Sequence, residues 1–213
     1  SKNIIVGASV FSLEALEIAV NNKVDFLKIG SGDILFDELI NSVRNLEYPV
    51  ILSSGMANWQ ELNDISSKFI SHKGKDLFSI LHCTTQYPTD PEKIGFNNVK
   101  IIEEKLDVLS GLSDHSGNYL TAIFALARGC PIYECHVNFD RKMFGPDSTS
   151  SLTINEMREV IKAKKYFKKL NIDTDKDIAE EELSSTKKKF GRSIRIKKNI
   201  KKGDIFKKEN ITY

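Results

Sequence analysis

Six short apolar runs, each closing on small and polar residues and followed by an amphipathic stretch, limit what this chain can fold into. The runs are NIIVGAS, FLKIGSGD, PVILSSGM, FSILHCTT, VLSGLSDH and PIYECHVNF, beginning near residues 3, 26, 49, 78, 108 and 131. Starts about 20 to 30 residues apart leave room for a helix between strands, so the units are βα rather than hairpins. Between them SLEALEIAVNN, FDELINSVRN, WQELNDISSKFISHK and NYLTAIFALARG carry apolar residues at helical spacing. The runs are apolar at consecutive positions, which predicts parallel strands covered on both faces. In a doubly wound open sheet, the runner-up, polar site residues gather at one switch point. Here they recur after every strand, as in a (β/α)8 barrel, where every strand end faces one mouth. The expected class is α/β, a (β/α)8 TIM-type barrel with about six βα units present.

At 213 residues, 40% hydrophobic and 28% charged, the chain is long enough for a sizeable core and reads as a soluble globular protein. It has no apolar run of about 18 residues, so no membrane span is expected, and no signal-peptide pattern, which points to the cytoplasm. Cys83, Cys130 and Cys135 are odd in number and widely spaced, as reduced thiols of a cytosolic protein are, and no second pair completes a zinc site. The net charge of +2 argues for no nucleic-acid partner. Lysines do gather late, in KAKKYFKK, STKKKF and IKKNIKKGDIFKK. A solvated helix face and an exposed linker account for them, because nucleic-acid binding calls for interleaved aromatics. The expected boundaries are a partial barrel over 1–169, a charged linker or surface helix over 170–190, and the start of a small β-rich domain over 191–213. That last segment alternates at Ser193-Ile194-Arg195-Ile196 and turns at Lys202-Gly203-Asp204.

Chemistry concentrates at the strand ends. His115 closes the fifth run and His136 the sixth. Neighbouring parallel strands lie about 4.8 Å apart, so the two imidazoles can share one divalent ion, or hydrogen-bond separately in a barrel rim. Two nitrogen ligands without thiolate leave positions open for substrate and water, as a catalytic metal requires. Asp114 and Glu134 either orient those imidazoles or are plain strand-end polar residues. Lys28 sits between apolar neighbours; turned inward it needs an anionic partner, and otherwise it snorkels outward. Ser31 and Gly32 follow it with backbone N–H groups suited to an anion. Ser53, Ser54, Thr84, Thr85, Tyr87 and Ser113 would give the mouth a row of hydroxyls. In the stretch 139–153, Gly145-Pro146 makes a turn, and Asp147 either approaches the mouth or caps the helix beginning near Thr153.

FLKIGSGD, ILSSGM, LHCTTQYPT, GLSDHSG, ECHVNFDRKMFGPD and GRSIRIKKNIKKGD, in that order, resemble the sialic acid synthase family over nearly all 213 residues. The resemblance implies a barrel joined to a small antifreeze-protein-like (SAF) domain, in a domain-swapped homodimer. It also implies condensation of phosphoenolpyruvate with an N-acylated hexosamine, N-acetylmannosamine or a diacetamido-trideoxyhexose, assisted by Mn²⁺, with Mg²⁺ or Co²⁺ as substitutes. His115 and His136 match the metal ligands, and Lys28, Ser31, Ser53 and Ser113 the phosphoenolpyruvate positions. Tyr87 and Asp147 match sugar-side positions. Thr85 stands where several members carry Asn, and Asp33 where some carry Glu. Arg192, in a Gly191-Arg192 pair, resembles the arginine that the SAF domain reaches into the partner's site. FDRKMFGPD resembles the branch that includes legionaminate-type synthases. Members begin with two further strands and continue through the SAF domain, so the sequence is expected to be a fragment unable to catalyse as it stands. The rival readings are another metal-dependent barrel aldolase or sugar-acid synthase, and a non-catalytic scaffold for polyanions.

Overall fold

The computed structural model describes residues 4–212. Its chain divides after Leu170 into two units.

The first unit is built on a parallel sheet of seven strands in strictly sequential order: β1 (Gly7–Ser9), β2 (Phe26–Ile29), β3 (Val50–Ser53), β4 (Phe78–Cys83), β5 (Leu109–Asp114), β6 (Ile132–Asn138) and β7 (Ser151–Thr153). Helices α1 (Leu13–Asn21), α2 (Asp37–Arg44), α3 (Trp59–Lys73), α4 (Asn98–Leu106), α5 (Tyr119–Ala127) and α6 (Ile154–Leu170) connect or follow them. Sequential order is the order of a barrel wall; a doubly wound sheet would reverse at its middle. The six expected strands are present. The seventh lies in the stretch read as a loop, because three residues are too short to show a period. There Thr153 and Glu156 cap α6 reciprocally, Glu156 Oε2 accepting from Thr153 N at 2.8 Å and Glu156 N donating to Thr153 Oγ1 at 3.3 Å. A similar box at Asn58 and Glu61 starts α3.

Each strand sends alternate residues toward the helices. Leu27, Ile29, Leu52 and Ile80 are fully buried in one cluster with Leu39 and Ile40 of α2, Phe69 of α3 and Ile102 of α4. Each such side chain contributes roughly 1.5–3 kcal/mol on burial. The Phe69 and Phe78 rings stack with centroids 4.5 Å apart, tying α3 to β4. Farther along the sheet, Leu112 packs with Val99 and Ala125, and Leu152 with Ala122 and Val160. Gly111 faces the other way, where a Cβ would stand 2.3 Å from the Ile132 carbonyl oxygen, so the approach of β5 to β6 needs glycine there.

The second unit contains α7 (Lys176–Glu182), α8 (Ser184–Phe190) and an antiparallel pair, β8 (Arg195–Ile196) with β9 (Ile211–Thr212). Gly203 turns between them at φ 103°. No helix among the described residues is long and apolar enough to cross a membrane.

Phe69→Ala is expected to cost about 3–5 kcal/mol in urea denaturation, the cost of emptying a closed aromatic site. Acid weakens the fold through His82, whose Nε2–H donates to the Ile94 carbonyl at 2.8 Å and whose burial holds the imidazole below the usual histidine range. The unfolded chain takes up that proton near pH 6.5 and the folded chain only at lower pH. Stability is therefore full above about pH 6.5 and falls as pH drops toward the folded value. His82→Gln should flatten the fall in Tm measured between pH 8 and pH 5.

Candidate functional site

The strand faces turned away from the helices converge, at the carboxyl ends of β2 to β6, on a cleft of about 440 Å³. Lys28, Ser31, Asp33, Ser53, Thr85, Tyr87, Ser113, His115 and His136, all expected at a mouth, line it. The period of two selects them: Leu27 and Ile29 face the core while Lys28 faces the cleft, and Leu112 faces the core while Ser113 and His115 do not. Asp147 lies at the edge, its Oδ2 3.9 Å from His136 Nδ1. Its side chain is not the cap of α6, a role Thr153 and Glu156 fill. Arg192 is an exposed residue of the second unit.

Lys28 does not snorkel outward. Its side chain is 10% exposed, and Nζ donates to Glu134 Oε1 at 2.9 Å. Ser113 Oγ donates to the same oxygen at 2.7 Å. The anionic partner that a buried lysine requires is thus a carboxylate of the chain itself. Ser113 and Glu134 are register partners on β5 and β6, and Cys83 pairs with Ser113 on the other side. Asp114, the alternate residue, serves the opposite face: its carboxylate accepts from the Tyr133 hydroxyl at 2.6 Å and from Ser116 N and Oγ at 2.9 and 3.0 Å. Neither carboxylate is hydrogen-bonded to an imidazole.

One turn of backbone fixes the hydroxyl side. Ser31 Oγ accepts from Gly55 N at 3.1 Å, and a Cβ on Gly55 would meet Thr85 Oγ1 at 2.2 Å. Glycine lets β3 end between the two hydroxyls. Ser53 Oγ is buried and has no hydrogen-bond partner among the described residues, an acceptor and donor held ready in a polar cleft. Burial raises the Asp33 carboxyl above its ordinary range.

The His115 and His136 rings stand with centroids 5.2 Å apart, and Tyr87 lies over His115 at 4.2 Å. Burial, then the neighbouring His136, holds His115 below the usual histidine range, so the ring is neutral near pH 7, the state a metal ligand needs. Its Nδ1 faces Cys83 Sγ at 3.8 Å, which leaves Nε2 for a further partner. Among the described residues no group of three or more His, Cys, Asp or Glu is gathered for an ion. A two-imidazole set fits an ion that keeps positions open for substrate and water. Cys83 also lines the cleft, a placement missed in the sequence because it sits inside an apolar run; Cys135, alternate to Glu134 and His136, borders the cleft while packing toward Ala122 and Leu152. Burial, then Asp114 and Glu134, pushes the Cys135 thiol up to about 12, too high for thiolate chemistry.

A model described as the NeuB family matches residues 1–176. The chain belongs to the NeuB family. It is 31% identical over 211 residues to a pseudaminic acid synthase of Campylobacter jejuni, covering 99% of this chain and 61% of that protein. It is 30% identical over 213 residues to an N,N'-diacetyllegionaminic acid synthase of the same species, covering 99% and 63%. The crystal structure of an N-acetylneuraminic acid synthetase from Leptospira borgpetersenii, in complex with citrate, superposes with a TM-score of 0.75 at 26% identity, covering 90% of this chain and 67% of that one. The chain therefore spans about three-fifths of the length of the curated relatives it matches.

Removing one member of the Lys28–Glu134 pair has unequal costs. Glu134→Ala leaves a buried ammonium unpaired and should lower stability by about 1–3 kcal/mol. Lys28→Met leaves a carboxylate that is 37% exposed and still hydrogen-bonded by Ser113, and should be close to neutral. Urea denaturation of the two variants in parallel checks the order.

Proposed function

We propose that this chain is the larger part of a nonulosonate synthase, an enzyme that condenses phosphoenolpyruvate with an N-acylated hexosamine. The observation that carries the reading is one cleft in which a buried lysine and several hydroxyls stand beside a pair of imidazoles, in a chain of the NeuB family. The names of the relatives add the product class: pseudaminic and legionaminic acids. The sugar is N-acetylmannosamine or a diacetamido-trideoxyhexose.

In this reaction C3 of phosphoenolpyruvate bonds to the aldehyde carbon of the open-chain sugar, whose oxygen takes a proton. Water adds at C2, the C2–O bond to phosphate breaks, and the products are a 2-keto sugar acid and inorganic phosphate. Lys28 supplies positive charge to phosphoenolpyruvate, and Ser31, Ser53 and Ser113 supply O–H donors; Lys28, Ser53 and Ser113 act from buried positions. Thr85 completes that wall. Asp33, Tyr87 and Asp147 face the sugar, Asp33 as a carboxyl that burial brings closer to neutrality. His115 and His136 hold a divalent ion, Mn²⁺ by preference and Mg²⁺ or Co²⁺ in its place, which when bound supplies Lewis acidity toward the sugar carbonyl. Arg192 belongs to a SAF-type domain that begins within the second unit and serves the site of the other copy in a homodimer. The enzyme works in the cytoplasm, without nucleic acid or membrane as partner.

The test is phosphate release from phosphoenolpyruvate by the full-length protein, with Mn²⁺ and a panel of N-acylated hexosamines. Release that requires both metal and sugar is the expected result, and the best sugar names the product. His115→Ala should cut turnover by about a thousandfold with the circular dichroism spectrum unchanged. No release from a folded, metal-loaded protein with any of these sugars would move the reading to another barrel aldolase or sugar-acid synthase.

A further inference from the structure

Two groups suited to an anion are already occupied in this cleft. The single proton of the Ser113 hydroxyl and one proton of the Lys28 ammonium both go to Glu134 Oε1, at 2.7 and 2.9 Å. A hydroxyl has one proton to donate and an ammonium three. While Ser113 donates to Glu134 it has nothing to donate to a ligand, whereas Lys28 has two protons left. Ser53, in the same cleft, has its hydroxyl uncommitted. A carboxylate only accepts hydrogen bonds, and so do the oxygens of a fully ionised phosphate or carboxylate ligand. Glu134 and an incoming anion therefore cannot bond to each other, repel each other, and require the same donors.

We propose that Glu134 is an internal counter-ion. Its Oε1 occupies the anion subsite and gives up Ser113 when phosphoenolpyruvate binds. The inference rests on the function proposed above. The exchange breaks one O–H···O bond and makes another, and no proton changes owner. Between turnovers the pair holds the Lys28 ammonium aimed into the cleft. The same pairing works against ligand binding, because each binding event must dislodge a charge-assisted hydrogen bond. Glu134 is thus a positioning residue: it sets the affinity for phosphoenolpyruvate through Lys28 and Ser113 and touches no reacting atom.

Glu134→Gln keeps the side chain's size and one carbonyl acceptor and removes the charge. Glu134→Asp keeps the charge and withdraws the oxygen by one methylene, and serves as a second variant. Titration calorimetry of phosphoenolpyruvate into the full-length wild-type and variant proteins, without sugar, reads the affinity directly. Steady-state kinetics with sugar separates KM from kcat. Glu134→Gln should lower Kd and KM for phosphoenolpyruvate by about tenfold and leave kcat little changed; Glu134→Asp should shift both in the same direction by less. Unchanged or weaker binding in the Gln variant would overturn the inference, as would a fall in kcat at constant KM. If the folded wild-type protein binds no phosphoenolpyruvate, the functional reading fails and the inference with it. If the wild type binds and the Gln variant does not tighten, only the inference fails.

Discussion

Everything at this site depends on the two-residue period of a parallel strand. A residue in β2 to β6 faces either the helices or the cleft, and its neighbours face the other side. Leu27, Ile29, Leu52, Ile80 and Leu112 fill the helix side. A register slip of one residue would bring that whole set into a polar cleft, so the apolar face fixes the register. The fixed register in turn sets Cys83, Ser113 and Glu134 in one row across three strands, with His115 and His136 two residues beyond Ser113 and Glu134. The core packing thus places the polar groups without touching them.

The same alternation gives two adjacent carboxylates different tasks. Asp114 and Glu134 lie on neighbouring strands, yet one accepts from Tyr133 and Ser116 on the helix side and the other from Lys28 and Ser113 in the cleft. The first ties the β5–α5 turn to β6. The second balances a charge that would otherwise be buried without a partner. Between them Cys135 is held as a thiol.

Much of this was legible in the sequence, for a physical reason. Consecutive apolar residues and helix-length gaps report parallel βα units, and polar strand ends report a shared mouth; nine of the expected site residues do line one cleft. Three things were not legible. A three-residue strand such as β7 carries no period. The partner of Lys28 lies 106 residues away and depends on the register of five strands, which no local pattern encodes. Glu134 therefore read as a possible support for an imidazole when its hydrogen bonds go elsewhere. The role of Gly55 is the third: its missing Cβ leaves room for the Ser31 and Thr85 hydroxyls against its backbone.

Sequential strand order also bears on how the molecule assembles. Each strand pairs only with its neighbours in the chain, so the sheet can grow one unit at a time, every step closing a loop of modest length. A core patch of β2, β3 and β4 with α2 and α3 can pack before the later strands arrive. The ion pair between β2 and β6 cannot: its two halves meet only after the intervening wall has closed. A partly folded chain can therefore be compact and hydrophobically satisfied while its cleft does not yet exist. The cleft itself is acquired at the end of folding, as a property of the completed wall rather than of any unit within it.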